Sequence, residues 1–270
     1  MITLQELLEL RSNVFNSKNT KLIRHKDTRG IEDFKEIVKN RDQLLEYQRE
    51  QGKDIFNCDY IISFIGLEHM KSLLFGVFET NREKKVIKNS HYFYELTEMN
   101  DFKDFNERII IDWGSSGQAW HQWYHNEKEV IQILPSGYIG SFKNYNDFVL
   151  DFNELEKIIN NEDSNKDWID KLSIINGIYL ILDSKTGNQY VGSANGTDGI
   201  LGRWKVYVQT KTGGNQCLID LMKIDPKYYL NFKYSILQTL PSNITKQEIV
   251  NLENIYKEKL GSRVFGLNNN

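Results

Sequence analysis

Cysteine is scarce: 270 residues contain only Cys58 and Cys217, far apart and at no metal-ligand spacing. A disulfide scaffold and a zinc site are therefore not expected, and two ordinary thiols in a reducing cytoplasm are. Equally absent is any apolar run of about 18 residues. The opening stretch MITLQELLEL lacks a basic region ahead of an apolar one. Neither a membrane span nor a signal peptide is expected. No Ser-His-Asp set, phosphate-binding P-loop, internal repeat or low-complexity tract stands out. The net charge is small, −3, but unevenly spread. Ser173 to Asn270 carries 11 Lys+Arg against 7 Asp+Glu, a net +4, which leaves −7 for the remainder. A basic C-terminal part suits a polyanionic partner.

What is present is ample material for a core, 40% hydrophobic residues with 12% aromatic. The length allows one large domain or two modest ones. Thr3-Leu4-Gln5-Glu6 reads as a capping box opening a helix. Lys21 to Lys26 follows, a short strand or arm dense in positive charge. It is either a solvated surface segment or a phosphate-contacting arm using Arg24, His25 and Lys26. Ile31 to Gln51 has helical spacing through Phe34, Ile37, Val38, Leu44, Leu45 and Tyr47. Strand-like runs then appear at Tyr60–Gly66, Leu73–Phe78, Tyr92–Tyr94, Ile109–Ile111 and Val130–Leu134, with a further candidate at Tyr138–Phe142. Helices ahead of five or six strands predict a mixed sheet or partial barrel. Phe148 to Asn160 reads as a helix, and the polar stretch Asn161–Asp167 as a boundary. The expected division is 1–165 and 166–270, α+β throughout.

The second part begins with a predicted hairpin. Gly177–Leu182 and Gln189–Ser193 are the strands, and Ser184–Asn188 supplies turn chemistry. A helix carrying Arg203 starts near Gly199, another near Gly213-Gly214-Asn215, and Tyr229–Leu240 reads as a third strand. Thr245-Lys246-Gln247-Glu248 is a second capping box, opening a helix to about Leu260. A three-stranded antiparallel sheet flanked by helices is the expectation. On the last helix Ile249, Glu253, Tyr256 and Leu260 share a face, which sets a carboxylate beside apolar neighbours. Such a group needs a cation, either an edge-of-core salt bridge or a metal.

Each hairpin strand holds a tyrosine near glycine, in Gly177-Ile178-Tyr179 and Tyr190-Val191-Gly192, with ten residues between the triplets. With Arg203, Glu253 and Asn268 following in order, roughly the last 100 residues resemble the GIY-YIG nuclease family. The resemblance implies a catalytic set of Tyr179, Tyr190, Arg203, Glu253 and Asn268. In it Glu253 holds one divalent metal, Mg²⁺ or Mn²⁺ as substitute, and Arg203 faces the scissile phosphate. One tyrosine helps to deprotonate the attacking water, and Asn268 steadies the site. Many relatives place a basic residue where this chain has Ser193, which puts more weight on the tyrosines.

The segment DWGSSGQAWHQWY concentrates Trp113, Trp120, Trp123 and Tyr124. It is either a hydrophobic plug or an aromatic cage for an extruded base. The strand order and the phrase FIG…LLFGVFE are similar to the PUA-like group of nucleic-acid readers, which favours the cage. The expectation is a metal-dependent endonuclease acting on double-stranded DNA, with 1–165 as target reader and a homodimer at least on DNA. A restriction enzyme fits best, with dependence on a modified cytosine favoured over an unmodified sequence. A repair or mobile-element nuclease, or a DNA-binding protein with an inactive module, are the alternatives.

Overall fold

A computed structural model describes residues 1–26, 34–88, 91–115 and 119–268. The chain divides into two compact units, Met1–Pro135 and Ser136–Asn270. Among the described residues, no helix is long and apolar enough to cross a membrane.

The first unit contains, in order, α1 (Leu4–Glu9), β1 (Thr20–His25), α2 (Phe34–Lys39), α3 (Arg41–Arg49), β2 (Glu50–Gln51) and β3 (Tyr60–Gly66). Then come β4 (Lys71–Lys88), β5 (His91–Glu98), β6 (Ile109–Asp112), β7 (His121–Trp123) and β8 (Val130–Ile133). The capping box at Thr3 and Glu6 is formed. The helix expected from Ile31 to Gln51 is two, because Asn40 takes an extended conformation and caps α3 by accepting from Gln43 N. Residues 31–33 lie outside the described residues.

Among the described residues the strands form one curled, half-barrel mixed sheet in the order β2-β5-β4-β3-β1-β7. Long β4 offers one edge to β3 and the other first to β6, then to β5. β1 runs parallel to β3 and antiparallel to β7. Apolar clusters cover alternating side chains on both faces: Leu22 and Ile62 join one with Leu4, Leu8 and Trp113, Ile23 and Ile61 another with Leu44 and Phe56.

That placement overturns the phosphate-arm reading for two of its three residues. β1 lies between two strands under two covered faces, so Arg24 and His25 are 2% and 4% exposed. The Arg24 guanidinium donates to the His69 carbonyl at 3.1 Å, and burial lowers its pKa despite Asp112. Only Lys26, at the strand's end, is exposed.

The second unit holds β9 (Leu150–Asp151), α4 (Phe152–Asn160), α5 (Lys166–Ser173), β10 (Asn176–Asp183), β11 (Gln189–Ala194) and α6 (Gly199–Thr210). It ends with α7 (Gln216–Ile224), β12 (Phe232–Leu240) and α8 (Lys246–Lys259). The sheet has four strands rather than three, β11-β10-β12-β9, all antiparallel. The hairpin and the Thr245 capping box fall where the sequence puts them.

The division lies before residue 136, not at 165/166. Phe152, Leu155 and Ile158 of α4 share one core with Trp168, Leu172, Tyr179 and Trp204. The polar stretch at 161–167 contains a 3-10 turn, Asp163–Asn165, and the start of α5, and its side chains hold the preceding loop. Asn165 is fully buried, donates to the Gly137 carbonyl at 2.9 Å and accepts from Ile139 N at 3.1 Å. Asp167 accepts from Phe142 N at 2.7 Å, and Trp168 Nε1 donates to the Gly140 carbonyl at 2.8 Å. Those bonds replace a ladder, so Tyr138–Phe142 is not a strand.

Two outcomes follow from the packing. A fragment of residues 136–270 should unfold cooperatively in urea, whereas one starting at Asp167 should not. The shorter piece loses four core side chains, Leu150, Phe152, Leu155 and Ile158, each worth about 2–5 kcal/mol against a domain total of about 5–15 kcal/mol. A cooperative transition in the shorter fragment would restore the later boundary.

The second outcome concerns acid. His25 Nε2 donates to Gln48 Oε1 at 2.9 Å, and burial pulls its pKa down to about 4. With the folded value depressed, this neutral histidine contributes stability above pH 6.5 that is lost as pH falls towards 4. The loss should approach about 3 kcal/mol. Urea melts of the whole chain at pH 7 and near pH 4 should show it, and His25→Gln should flatten the dependence.

Candidate active site

Antiparallel pairing sets Tyr179 opposite Gly192 and Ile181 opposite Tyr190, so both tyrosines project from one face of the hairpin. α6 packs on that face, presenting Arg203 and, one turn later, Tyr207. The Tyr179 and Tyr207 hydroxyls are 3.2 Å apart, and the Tyr190 ring centroid lies 6.5 Å from that of Tyr179 and 6.4 Å from that of Tyr207. Trp204 closes the back of the group, 6.3 Å from the Tyr179 ring. Tyr207 is the member that sequence reasoning missed. Its signal was the four-residue step from Arg203 on one helix face.

Glycine makes room for these rings. A Cβ on Gly192 would fall inside the contact distance of Tyr179 Cζ and Oη. Gly213, at φ +59°, would drive one into the Tyr207 ring.

Burial, partly offset by Arg203 and Tyr207, pushes the Tyr179 phenol up to about 12. Burial likewise raises Tyr207 and Tyr234. Tyr179 therefore stays protonated at neutral pH and is fully enclosed, whereas Tyr190 is half-buried. Arg203 is half-buried too. The neighbouring phenols, Tyr179 first, hold its pKa above the ordinary value, and its Nε is buried with no hydrogen-bond partner. Its guanidinium lies 5.8 Å from the Tyr207 ring centroid.

The opposite face of the same strand carries the carboxylate. Val191 and Ser193 point towards α8, where Val191 and Ile178 pack on Ile249. Glu253 Oε2 accepts from the Ser193 hydroxyl, and Oε1 lies 2.7 Å from Lys257 Nζ. Glu253 thus has the salt bridge that the sequence left as one alternative, and its partner, Lys257, was not foreseen. Leu260, expected in the core, is 37% exposed beyond the helix end.

Asn268 clamps the edge. It is 3% exposed, accepts from Val191 N at 2.9 Å and donates to the Val191 carbonyl at 2.8 Å. Leu267 N adds a bond to the Gln189 carbonyl at 2.8 Å. Among the described residues no three His, Cys, Asp or Glu side chains gather as a metal cluster. One carboxylate nevertheless suits Mg²⁺, which commonly takes one or two and completes its shell with water and phosphate oxygens. Glu253 fits on those terms, with Lys257 beside it.

The tryptophan segment is split. Trp113 is fully buried with its Nε1 donating to the Ala119 carbonyl at 2.9 Å, and Tyr124 is 5% exposed. Both are core, which removes them from any cage. Trp120 and Trp123 are 37% and 36% exposed, and Lys21 Nζ lies 4.5 Å from the Trp123 ring centroid.

No protein-family model and no curated protein matches the chain. Two solved structures are similar to part of it. One is a mutant of the catalytic domain of intron endonuclease I-TevI, 26% identical over 36% of this chain and 95% of that one, TM-score 0.30. The other is the catalytic domain of homing endonuclease I-TevI, 28% identical over 34% and 96%, TM-score 0.28.

Replacing Gly192 with alanine tests the tyrosine packing. The added methyl should displace the Tyr179 phenol and cost about 1–3 kcal/mol of stability. Gly196→Ala, where nothing lies within 4 Å, should change it by less than about 0.5 kcal/mol. Equal melting curves for both variants would refute the close packing.

Proposed function

We propose that the second unit is a metal-dependent endonuclease that hydrolyses a phosphodiester bond of DNA. The observation that carries this is Arg203: a half-buried guanidinium beside the protonated phenols of Tyr179 and Tyr207, with an unpartnered Nε. A cation so placed is complementary to an anion, and its planar fork suits phosphate oxygens. As charge builds on the phosphorus oxygens, the same donors strengthen their hold. The resemblance of the two tyrosine triplets supports the assignment of phosphate as that anion.

The residues divide the work by exposure. Tyr179, enclosed and protonated, hydrogen-bonds Tyr207 and fixes the ring wall around Arg203. Tyr190, half-exposed, is the tyrosine that can meet solvent, so activation of the attacking water falls to it. Glu253 would hold the divalent cation, which when bound supplies positive charge to the departing oxygen. Asn268 holds strand β11 in place through Val191.

The first unit is proposed to read the target. Restriction is the setting that a compact nuclease with its own reading unit suits best, with two copies assembling on DNA. Recognition of a modified cytosine now rests on Trp120 and Trp123 alone. One observation favours a second reading, a DNA-binding module that does not cut: the Lys257 ammonium already occupies Glu253.

Plasmid nicking in Mg²⁺ against EDTA separates the readings. Nicking should require the metal. Glu253→Gln should abolish it while DNA binding persists, since the amide keeps shape and loses charge. Arg203→Lys should slow it by at least about 10²-fold, the scale of one transition-state donor. Full cutting by the Glu253→Gln variant would end the metal assignment, and full cutting by Arg203→Lys would return that residue to a surface role.

A further inference from the structure

Lys257 has no part in the chemistry above, yet it is the most unusual side chain near it. It lies one helical turn beyond Glu253 and is 3% exposed. Burying an ammonium is costly unless an anion compensates it. Glu253 Oε1, 2.7 Å away, provides that compensation, while Oε2 is taken by Ser193. The carboxylate therefore arrives at the site already neutralised and with both oxygens engaged.

We propose that Lys257 is a resident cation that competes with the divalent metal for Glu253 and so keeps metal binding weak in the DNA-free protein. The inference rests on the reading of Glu253 as metal ligand. Carboxylate and ammonium together carry no net charge, so a dication finds little attraction and a nearby like charge. A DNA phosphate changes that balance by adding negative charge and oxygen ligands, which an octahedral cation uses and an ammonium cannot match. Metal and DNA then strengthen each other's binding by the same factor, as linkage requires.

The test uses the full chain and Mn²⁺ alone, with free Mn²⁺ followed by electron paramagnetic resonance in the absence of DNA. Lys257→Met and Lys257→Gln should each bind Mn²⁺ at least ~10-fold more tightly than the unaltered protein, because a repelling charge is gone. Lys257→Arg, which keeps the charge, should not. Damage to the fold lowers affinity, so a gain separates competition from a merely structural role. The glutamine variant keeps a donor to Glu253 should the methionine variant fail to fold.

Unchanged or weaker Mn²⁺ binding in the folded neutral variants overturns the proposal. Adding Glu253→Gln to Lys257→Met tells which idea has failed. If the double variant binds as tightly as Lys257→Met, Glu253 is not the ligand and both readings fall. If Glu253→Gln alone removes Mn²⁺ binding while the Lys257 variants leave it unaltered, only the competition is wrong.

Discussion

The site depends on a guanidinium that no carboxylate answers among the described residues. Arg203 is half removed from water, and among the described residues its electrostatic neighbours are Tyr179, Tyr207 and Tyr190. Tyr179 and Tyr207, kept protonated by burial, offer dipoles and ring faces, which compensate a positive charge only in part. Such a group can remain charged and still favour an incoming anion. The arrangement holds because three local features agree. Hairpin register brings Tyr179 beside Tyr190, helical spacing brings Tyr207 beside Arg203, and Gly192 leaves space for the ring between.

Those three features were legible in the sequence in unequal degree. The hairpin and both capping boxes are set by residues within a few positions of each other, so turn and cap chemistry reveals them. Tyr207 and Lys257 were legible in principle, each four residues beyond a residue already singled out. Both were passed over because aromatics and lysines on helices are commonplace. The boundary failed for a different reason. Asn161–Asp167 is polar because its side chains bond the loop at 137–142, a pairing invisible without the fold.

The charged segment at 21–26 shows the same limit more sharply. Its local pattern is that of an exposed basic strand, but its burial follows from partners far along the chain, β3 and β7. Burial then dictates the chemistry. The Arg24 guanidinium turns to the His69 carbonyl, and His25 stays neutral against Gln48. The tryptophans divide likewise: Trp113 closes a core, while Trp120 and Trp123 stay at the surface. Aromatic density announced an apolar concentration without saying which rings face solvent.

The proposed chemistry asks Arg203 and Glu253 to serve one phosphate, yet they lie on opposite faces of β11. Strand alternation sends Tyr190 and Gly192 towards α6 and Val191 and Ser193 towards α8, and no side chain crosses a paired sheet. The two can meet only around an edge, and β11 is the edge strand. Part of that edge is already closed, since Leu267 and Asn268 bond the backbone of Gln189 and Val191. Beyond Val191 along the same edge lies Ser193, the residue whose hydroxyl reaches Glu253. The tail therefore does more than steady the strand. On the proposed reading, Asn268, by covering one end of that edge, would direct a phosphate to the end where the carboxylate stands.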